Sequence, residues 1–228
     1  MSYIVIVGAS TGIGRDIVFP LAGLGHTALQ LKRDADVWNK PMRHVDALLL
    51  CQRYRGPDEW SGELEVSLSK TKRIMDWAVR YMKKGGSIVV MASVAAVSVE
   101  EEQPVSYHAC KAALVEMVKY YAVVLGKKRI NVNAIIPGLT IKPEAREFYN
   151  RHPALEETYK DITPLGRMGT VDDLADLVSF LVGSRSTYLT GQTIVLDGGI
   201  SLRSPWALAR RVHPKLRRLR VTQRKAAK

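Results

Sequence analysis

Short apolar runs alternate along the chain with longer segments in which apolar residues recur at helical spacing. The short runs are rich in β-branched residues, which is typical of buried strands, and cover residues 3–7, 27–31, 47–51, 87–91, 131–136 and 193–196. Helical spacing covers residues 16–24, 63–84, 105–126 and 171–182. Near-continuous apolar strands that alternate with helices indicate a parallel sheet covered on both faces. The pattern therefore predicts a doubly wound α/β fold without internal repeats.

Length and composition fit one globular domain followed by a short extension. The chain has 228 residues, of which 46% are hydrophobic and 25% charged, and this excludes a fibrous or wholly disordered protein. From residue 204 onward, Pro205, Pro214 and clustered charge break the strand–helix pattern. We therefore predict a domain over residues 1–202 and a flexible basic C-terminal tail over residues 203–228.

The charge is strongly basic, but it is unevenly distributed. A net charge of +12 and a pI near 9.8 are typical of proteins that contact nucleic acid or an anionic surface. Residues 203–228 hold ten Lys and Arg and no acid, which leaves only +2 on residues 1–202. Aromatic residues make up 7%, which disfavours a stacking platform for single-stranded nucleic acid. Contact with nucleic acid or an anionic surface is therefore an option for the tail alone, beside a solubilising extension.

Targeting and metal-binding signals are not found in the sequence. The apolar run at residues 3–7 has no basic region before it and ends in a glycine-rich turn, so no signal peptide is predicted. No run approaches the roughly 18 apolar residues of a membrane span. Two cysteines and five scattered histidines form neither a disulfide framework nor a metal motif. These features favour a reduced, cytoplasmic protein without a metal site.

A glycine-rich turn directly follows the first predicted strand and opens the first helix. It consists of Gly8, Ala9, Ser10, Thr11, Gly12, Ile13 and Gly14. Glycine lets a backbone approach a pyrophosphate closely, and a helix N-terminus offers free N–H groups and the positive end of a dipole. The turn thus predicts a Rossmann-type nucleotide site, and a tight turn for helix–sheet packing is the alternative.

Three side chains further along carry proton-transfer chemistry. Tyr107 and Lys111 lie four residues apart in a predicted helix and therefore share one face. A lysine cation beside a phenol favours the phenolate, so the phenol can act as a general acid towards a carbonyl or as a base towards an alcohol. Ser93 follows the strand at residues 87–91, where its hydroxyl can hold a carbonyl oxygen.

Together these motifs resemble the short-chain dehydrogenase/reductase family. The glycines have the family's G-x-x-x-G-x-G spacing, and Ser93, Tyr107 and Lys111 match its catalytic triad in order. The resemblance implies hydride transfer between a nicotinamide cofactor and a carbonyl or alcohol. Tyr107 would exchange the proton, Ser93 would hold the oxygen, and Lys111 would bind the cofactor ribose and support Tyr107.

Later motifs extend the resemblance over about residues 4–199. Residues 133–138 are similar to the family's N-A-x-x-P-G motif, which lies along the nicotinamide, and residues 164–199 are similar to its C-terminal signature. This similarity implies cofactor contacts for Pro137, Gly138 and Thr140. The whole pattern most resembles 3-oxoacyl-[acyl-carrier-protein] reductases and related ketoreductases.

The resemblance also implies the partners of the protein. We expect a small-molecule or carrier-bound carbonyl substrate, such as a 3-oxoacyl thioester or a ketone of a biosynthetic pathway. Residues 141–163 are expected to form the substrate lid. A homodimer or homotetramer is expected, built on the helices predicted over residues 63–84 and 105–126.

The cofactor preference rests on the end of the second predicted strand. Members of the family that prefer NAD carry an acid there, which binds the ribose 2′-hydroxyl. This chain instead has Lys32 and Arg33, and a guanidinium suits a 2′-phosphate. The residues favour NADP(H), and the nearby Asp34 and Asp36 leave NAD(H) open.

Three features depart from the family pattern. Arg53 stands where the family has the glycine of its N-N-A-G loop, so the side chain must swing aside or the loop must be rebuilt around Gly56. Ser67 stands where the family has the asparagine of a proton relay, and we assign Ser67 to the catalytic set in its place. Only 12 residues, 34–45, separate Arg33 from Asp46, which predicts a sheet trimmed at its third-strand edge.

The departures leave a second hypothesis open. The chain would then be a catalytically impaired binding or structural subunit, with the basic tail contacting an acidic partner. Two residues beside the triad, His108 and Cys110, are assigned to packing rather than to chemistry.

Overall fold

The computed structural model describes residues 2–31 and 44–213, and the bounds below refer to these ranges. The strands are β1 Tyr3–Val7, β2 Thr27–Leu31, β3 Val45–Leu50, β4 Met82–Met91, β5 Asn131–Pro137, β6 Thr140–Ile141, β7 Gly169–Thr170 and β8 Thr193–Leu196. The helices are α1 Gly12–Asp16, α2 Val18–Gly23, α3 Glu59–Glu63, α4 Lys70–Ala78, α5 Val105–Leu125, α6 Arg146–Arg151, α7 Pro153–Ile162, α8 Val171–Val182 and α9 Pro205–Val212. A π-helical turn, Leu64–Ser69, joins α3 to α4.

Six parallel strands form the main sheet, in the order β2-β1-β3-β4-β5-β8. The chain runs from β1 to β2 on one side and then returns to β3 on the other side of β1. This reversal creates a crevice at the carboxyl ends of β1 and β3, where open α/β sheets bind ligands. The doubly wound, Rossmann-type prediction is confirmed. Within the described residues the sheet ends at β2; residues 32–43, on which the predicted trimmed edge depends, lie outside them.

Helices cover both faces of the sheet and bury two separate apolar cores. Successive residues of a strand point to opposite faces, so Val5 and Val7 of β1 join the core under α4 and α5. Ile4 and Ile6 join the core under α2 and α8. The near-continuous apolar composition of the strands follows from this double burial.

Two predicted helices differ from the observed ones. The segment at residues 16–24 belongs to two short helices that meet at Ile17, because Pro20 has no N–H to donate to the carbonyl of Asp16. The helix predicted over residues 63–84 ends at Ala78, since β4 already begins at Met82 and pairs there with Val45.

The described part of the predicted tail contains a helix. Ser204 caps α9 by accepting a hydrogen bond from the N–H of Ala207 at 3.3 Å. Arg211 of α9 pairs with Asp161 of α7 at 2.9 Å, which connects α9 to the segment expected to form the lid. The domain boundary near Leu202 stays a prediction, and residues 214–228 lie outside the described ranges.

Candidate active site

A cavity of about 800 Å³ opens at the carboxyl ends of β1, β3, β4 and β5. Most of the residues predicted for the site line it: Gly8, Ser10, Thr11, Gly12, Ile13, Ser93, Tyr107, Lys111, Pro137, Gly138 and Thr140. Gly14 and Ser67 are buried outside the lining. Lys32 and Arg33 lie outside the described residues, so the preference for NADP(H) that they predict stays a prediction.

The glycine-rich turn packs so closely on its neighbours that larger residues would not fit at Gly8 and Gly14. Gly8 and Gly12 have φ angles of +83° and +61°, a left-handed conformation that favours glycine. A Cβ on Gly8 would lie 2.8 Å from the carbonyl carbon of Cys51. A Cβ on Gly14 would lie 2.4 Å from the carbonyl oxygen of Gly8, so Gly14 allows α1 to pack on β1. Gly8 thus allows the turn to pack on the loop after β3, and both Gly8 and Gly12 line the cavity.

Ser93, Tyr107 and Lys111 line the same cavity. The Nζ of Lys111 lies 5.4 Å from the centroid of the Tyr107 ring and donates a hydrogen bond to the carbonyl of Met91 at 3.2 Å. Ser93 directly follows the end of β4, and its Oγ accepts a hydrogen bond from the N–H of Ala95 at 3.3 Å. Because the Ser93 hydroxyl acts as an acceptor in this contact, its hydrogen can still be donated to the oxygen of a ligand.

Burial sets the electrostatics of Lys111. Its side chain is 3% exposed, and burial lowers the pKa of the ammonium to about 8, although the carboxylate of Glu63 acts in the opposite direction. Lys111 therefore still carries its charge at neutral pH. Burial also raises the pKa of Cys51 to about 12 and that of Cys110 to about 11, so neither thiol is a ready nucleophile. A packing role for Cys110 fits these values.

Arg53 covers the phenol instead of pointing away from it. Its guanidinium carbon lies 4.8 Å from the centroid of the Tyr107 ring, and its Nη2 donates to the Oε1 of Gln103 at 2.6 Å. The next residue, Tyr54, packs its ring against two glycines: a Cβ on Gly56 or Gly62 would lie 2.1 Å from an atom of that ring. The loop after β3 is thus built around Gly56.

Sequence reasoning missed several residues that line the cavity, among them Gln52, Tyr54, Arg55, Glu100, Lys142 and Tyr149. Gln52 is 4% exposed; its Oε1 accepts a hydrogen bond from the Oγ1 of Thr71 at 3.4 Å, and its Nε2 has no hydrogen-bond partner among the described residues. A buried amide nitrogen without a partner beside a cavity indicates a polar ligand group there. For Gln52 the signal in the sequence was the departure from the family's loop at residues 50–53, and for Lys142 and Tyr149 it was the segment expected to form the lid.

His108 is a structural residue, as expected. Its Nε2 accepts a hydrogen bond from the N–H of Glu100 at 2.9 Å, and its Nδ1 lies 3.0 Å from the carbonyl oxygen of Pro104. Both ring nitrogens therefore have backbone hydrogen-bond partners. His108 thus links two segments by hydrogen bonds: the loop that contains Glu100, which lines the cavity, and the start of α5.

Ser67 lies in the π-helical turn and is fully buried. Its hydroxyl donates a hydrogen bond to the carboxylate of Glu63, which is 4% exposed. The assignment of Ser67 to the catalytic set stays a prediction. Its side chain is not among those that line the cavity.

The described residues contain neither a membrane-spanning helix nor a metal-binding group of side chains. No helix among residues 2–31 and 44–213 is long and apolar enough to cross a membrane. Over the same ranges, no three His, Cys, Asp or Glu side chains are grouped so that they could hold a metal ion.

The chain is similar to a large set of known reductases and dehydrogenases. A family model described as enoyl-(acyl carrier protein) reductase matches residues 55–201. The 1-cyclohexenylcarbonyl-CoA reductase of Streptomyces collinus is 30% identical over 247 aligned positions, which cover 88% of this chain and 87% of that protein. The 3-oxoacyl-[acyl-carrier-protein] reductase FabG of Thermotoga maritima is 32% identical over 157 positions, which cover 68% of this chain and 61% of that protein.

A solved structure shows the same fold. L-sorbose reductase from Gluconobacter frateurii, complexed with NADPH and L-sorbose, has a TM-score of 0.74 at 24% identity, covering 89% of this chain and 97% of that one. Several other curated relatives are matched over 50–58% of their length.

The sheet is doubly wound, and its glycine-rich turn shares one cavity with a serine, a tyrosine and a lysine. This combination defines a nucleotide-dependent oxidoreductase. The chain belongs to the short-chain dehydrogenase/reductase family. It is thus an NAD(P)-dependent oxidoreductase of the class that acts on CH–OH and C=O groups.

Proposed function

We propose that this protein is an NADP(H)-preferring ketoreductase whose substrate is an acyl thioester or a related ketone of a biosynthetic pathway. The observation that carries the proposal is the convergence of Ser93, Tyr107 and Lys111 in one cavity with the glycine-rich turn. The basic pair Lys32 and Arg33 supports the preference for NADP(H), because a guanidinium matches the 2′-phosphate.

The residues present fit a dinucleotide cofactor. Gly8 and Gly12 line the cavity and, without side chains, suit the close approach of a pyrophosphate, and the amide nitrogen of Gln52 suits an oxygen of the bound molecule. The arginines Arg53 and Arg55 line the same cavity and favour an anionic ligand. Pro137, Gly138 and Thr140 would border the nicotinamide, and Ser10, Thr11 and Ile13 the phosphates.

The side chains then divide the chemistry at the carbonyl. When bound, the reduced nicotinamide supplies the hydride. Ser93 donates a hydrogen bond to the carbonyl oxygen and Tyr107 gives that oxygen a proton, which stabilises the charge that develops on it. Lys111, charged at neutral pH, stabilises the phenolate that remains on Tyr107. In the oxidative direction the same phenolate removes the hydroxyl proton.

A thioester substrate is supported by the relatives and by the lining. The names of the Streptomyces and Thermotoga proteins both specify acyl groups on carriers, coenzyme A or acyl carrier protein. In this chain Lys142 and Tyr149, from the expected lid segment, line the cavity, and Lys142 adds a cation at its mouth. A carrier with phosphate groups matches such an entrance.

A homodimer or homotetramer remains part of the proposal. On α5, Tyr120 is 65% exposed and Val123 is 81% exposed, which gives this helix an apolar outer face. Exposed apolar patches on a helix often mark contacts between protein chains. Sedimentation would show an assembly that Val123→Glu dissociates, and a monomeric wild type would contradict this part of the proposal.

The cofactor preference has a direct binding test. NADPH and NADH are titrated by fluorescence into the wild type, the double variant Lys32→Ala/Arg33→Ala, and a matched control, Lys83→Ala/Lys84→Ala, which loses the same charge elsewhere. We expect tighter binding of NADPH than of NADH, and loss of this preference only in the Lys32/Arg33 variant. Equal affinities in the wild type contradict the preference, and no binding of either nucleotide supports the hypothesis of a non-catalytic subunit.

The substrate proposal is tested by turnover. A panel of 3-oxoacyl thioesters, sugars and cyclic ketones is supplied with NADPH, and oxidation of the cofactor is followed by absorbance. We expect the thioesters to give the largest kcat/KM. Faster turnover of sugars than of thioesters would assign the enzyme to a different substrate class.

A further inference from the structure

An arginine lies over the reacting phenol, at a position where the family's loop has a glycine. Arg53 follows β3, and its guanidinium carbon is 4.8 Å from the centroid of the Tyr107 ring. Its Nη2 donates a hydrogen bond at 2.6 Å to the Oε1 of Gln103, which precedes α5. Arg53 is an exposed residue that is free to extend into water, but these two contacts hold its guanidinium beside the phenol.

The positive charge of Arg53 is not neutralised within the described part of the chain. Gln103 is neutral, and among residues 2–31 and 44–213 no carboxylate forms an ion pair with the guanidinium. A guanidinium has five N–H donors in a planar fork and no acceptor. The contact with Gln103 uses one donor, so the others can bind oxygen atoms of a molecule in the cavity. Arg53 is therefore suited to hold an oxygen-bearing group of the substrate near Tyr107.

The other basic side chains of the cavity lie at different places. The lining holds one acid, Glu100, and four basic residues: Arg53, Arg55, Lys111 and Lys142. A Cβ on Gly12 would lie 3.6 Å from the Nη2 of Arg55, which places Arg55 at the glycine-rich turn and the proposed cofactor phosphates. Lys111 is buried and donates to the carbonyl of Met91, and Lys142 belongs to the expected lid segment. Arg53 is thus the exposed cation beside the phenol.

We propose that Arg53 is a specificity-determining residue, which binds an acyl oxygen next to the ketone that is reduced. The inference rests on the proposed function, in which Ser93 and Tyr107 bind the ketone oxygen. In a 3-oxoacyl group one methylene separates the ketone from a second carbonyl, so the second oxygen stays close to the first. A guanidinium beside the phenol that binds the first oxygen is placed to donate to the second. Gln103 holds the guanidinium in this orientation.

The same contact gives a reason for selectivity. A substrate that covers the guanidinium removes water from it, and a ketone without the second oxygen leaves its donors unpaired. Sites that hydrogen-bond a substrate group reject analogues that lack this group for the same reason. Both a thioester and the carboxylate of a free 3-oxo acid supply the acyl oxygen, so the experiment includes one compound of each kind.

The first test compares turnover of matched substrates with NADPH. These are the N-acetylcysteamine thioester of 3-oxobutanoate, free 3-oxobutanoate, and the thioether ketone in which a methylene replaces the thioester carbonyl. We expect Arg53→Met to lower the ratio of kcat/KM for an acyl compound to that for the thioether ketone by about tenfold to hundredfold. The acyl compound with the larger kcat/KM identifies the source of the oxygen.

Arg185→Met is the matched control, because Arg185 is exposed and precedes β8, at the edge of the sheet opposite the cavity. Its ratios should equal those of the wild type. Arg53→Lys keeps the charge without the fork and should lie between the wild type and Arg53→Met, and Gln103→Ala should lower the ratio less than Arg53→Met does. An unchanged ratio in Arg53→Met overturns the proposal, and so does a gain of kcat/KM on all three substrates, which would make Arg53 an obstruction.

The second test measures binding without turnover. The 3-oxobutanoyl thioester is titrated calorimetrically into each variant in the presence of NADP⁺, which has no hydride to give. We expect about tenfold weaker binding in Arg53→Met and no change in Arg185→Met. Equal binding by the wild type and Arg53→Met overturns the proposal. Binding that depends on Arg53, together with no turnover of any carbonyl by the wild type, would uphold the role of Arg53 and refute the proposed function instead.

Discussion

Replacing Gly14 with alanine would place a methyl group against the end of the first strand. The new Cβ would lie 2.4 Å from the carbonyl oxygen of Gly8 and 3.0 Å from the Cβ of Cys51. Ordinary contact begins near 3.4 Å, so α1 and β1 have to separate by about 1 Å at a place where both neighbours are fixed. Overpacking of this kind costs about 1–3 kcal/mol of unfolding free energy.

Gly23→Ala is the matched control, since Gly23 also lies in a helix but has no atom within 4 Å of the position of its Cβ. There the substitution should stabilise the protein by about 0.4–1 kcal/mol, because alanine has less freedom in the unfolded chain. Denaturation in urea gives the free energies, and a fluorescence titration gives the affinity for NADPH.

We expect Gly14→Ala to lose stability and to bind NADPH about tenfold more weakly, because the turn that faces the cavity moves with α1. Gly23→Ala should gain stability and bind as the wild type does. The reasoning is refuted if Gly14→Ala keeps both its stability and its affinity, or if the two variants change stability in the same direction.

Two further predictions follow from the charges of the fold. Arg167 holds the pKa of Asp173 at about 2, and Asp173 forms a capping box with Thr170 at the start of α8, so Asp173→Asn should cost about 1 kcal/mol at pH 7. This stabilisation is present above the pKa of Asp173 in the unfolded chain, near 3.9, and is lost as the pH falls through about 2. A difference in unfolding free energy between the wild type and Asp173→Asn that does not shrink in acid contradicts it. Burial lowers the pKa of Lys111 to about 8, so between about pH 8 and 10.5 the unfolded chain retains a proton that the folded chain has released. The unfolding free energy of the wild type relative to Lys111→Met should rise across that window by up to about 3 kcal/mol, and a flat difference would refute the lowered pKa.

Much of the fold could be predicted because it rests on local patterns. The strands are buried on both faces, so their apolar runs were visible in the sequence, and five of the six strands of the sheet begin and end within two residues of prediction. The exception is β4, which begins at Met82 and not near residue 87. Its first part holds the lysines and glycines of residues 83–86, which carry no strand signal. The short helices α6 and α7 were missed because they lie in a charged segment without a strong apolar period.

The site could be predicted where it depends on spacing and not where it depends on packing. Tyr107 and Lys111 share a helix face, so their meeting follows from a separation of four residues. The position of Arg53 over Tyr107 depends on the path of the loop, which Tyr54 sets by packing against two glycines. The environment of Glu63 depends on the contact between α3 and α5, and no local pattern in the sequence specifies it.

In the proposed NADP(H)-dependent reaction at a carbonyl, Tyr107 transfers the proton. The most direct measurement is turnover of NADPH with a 3-oxoacyl thioester by the wild type and by Tyr107→Phe, which loses only the hydroxyl, together with the affinity of both for NADPH. We predict that Tyr107→Phe binds NADPH within about twofold of the wild type and loses at least about 10²-fold in kcat. Turnover by Tyr107→Phe at the rate of the wild type would contradict the account.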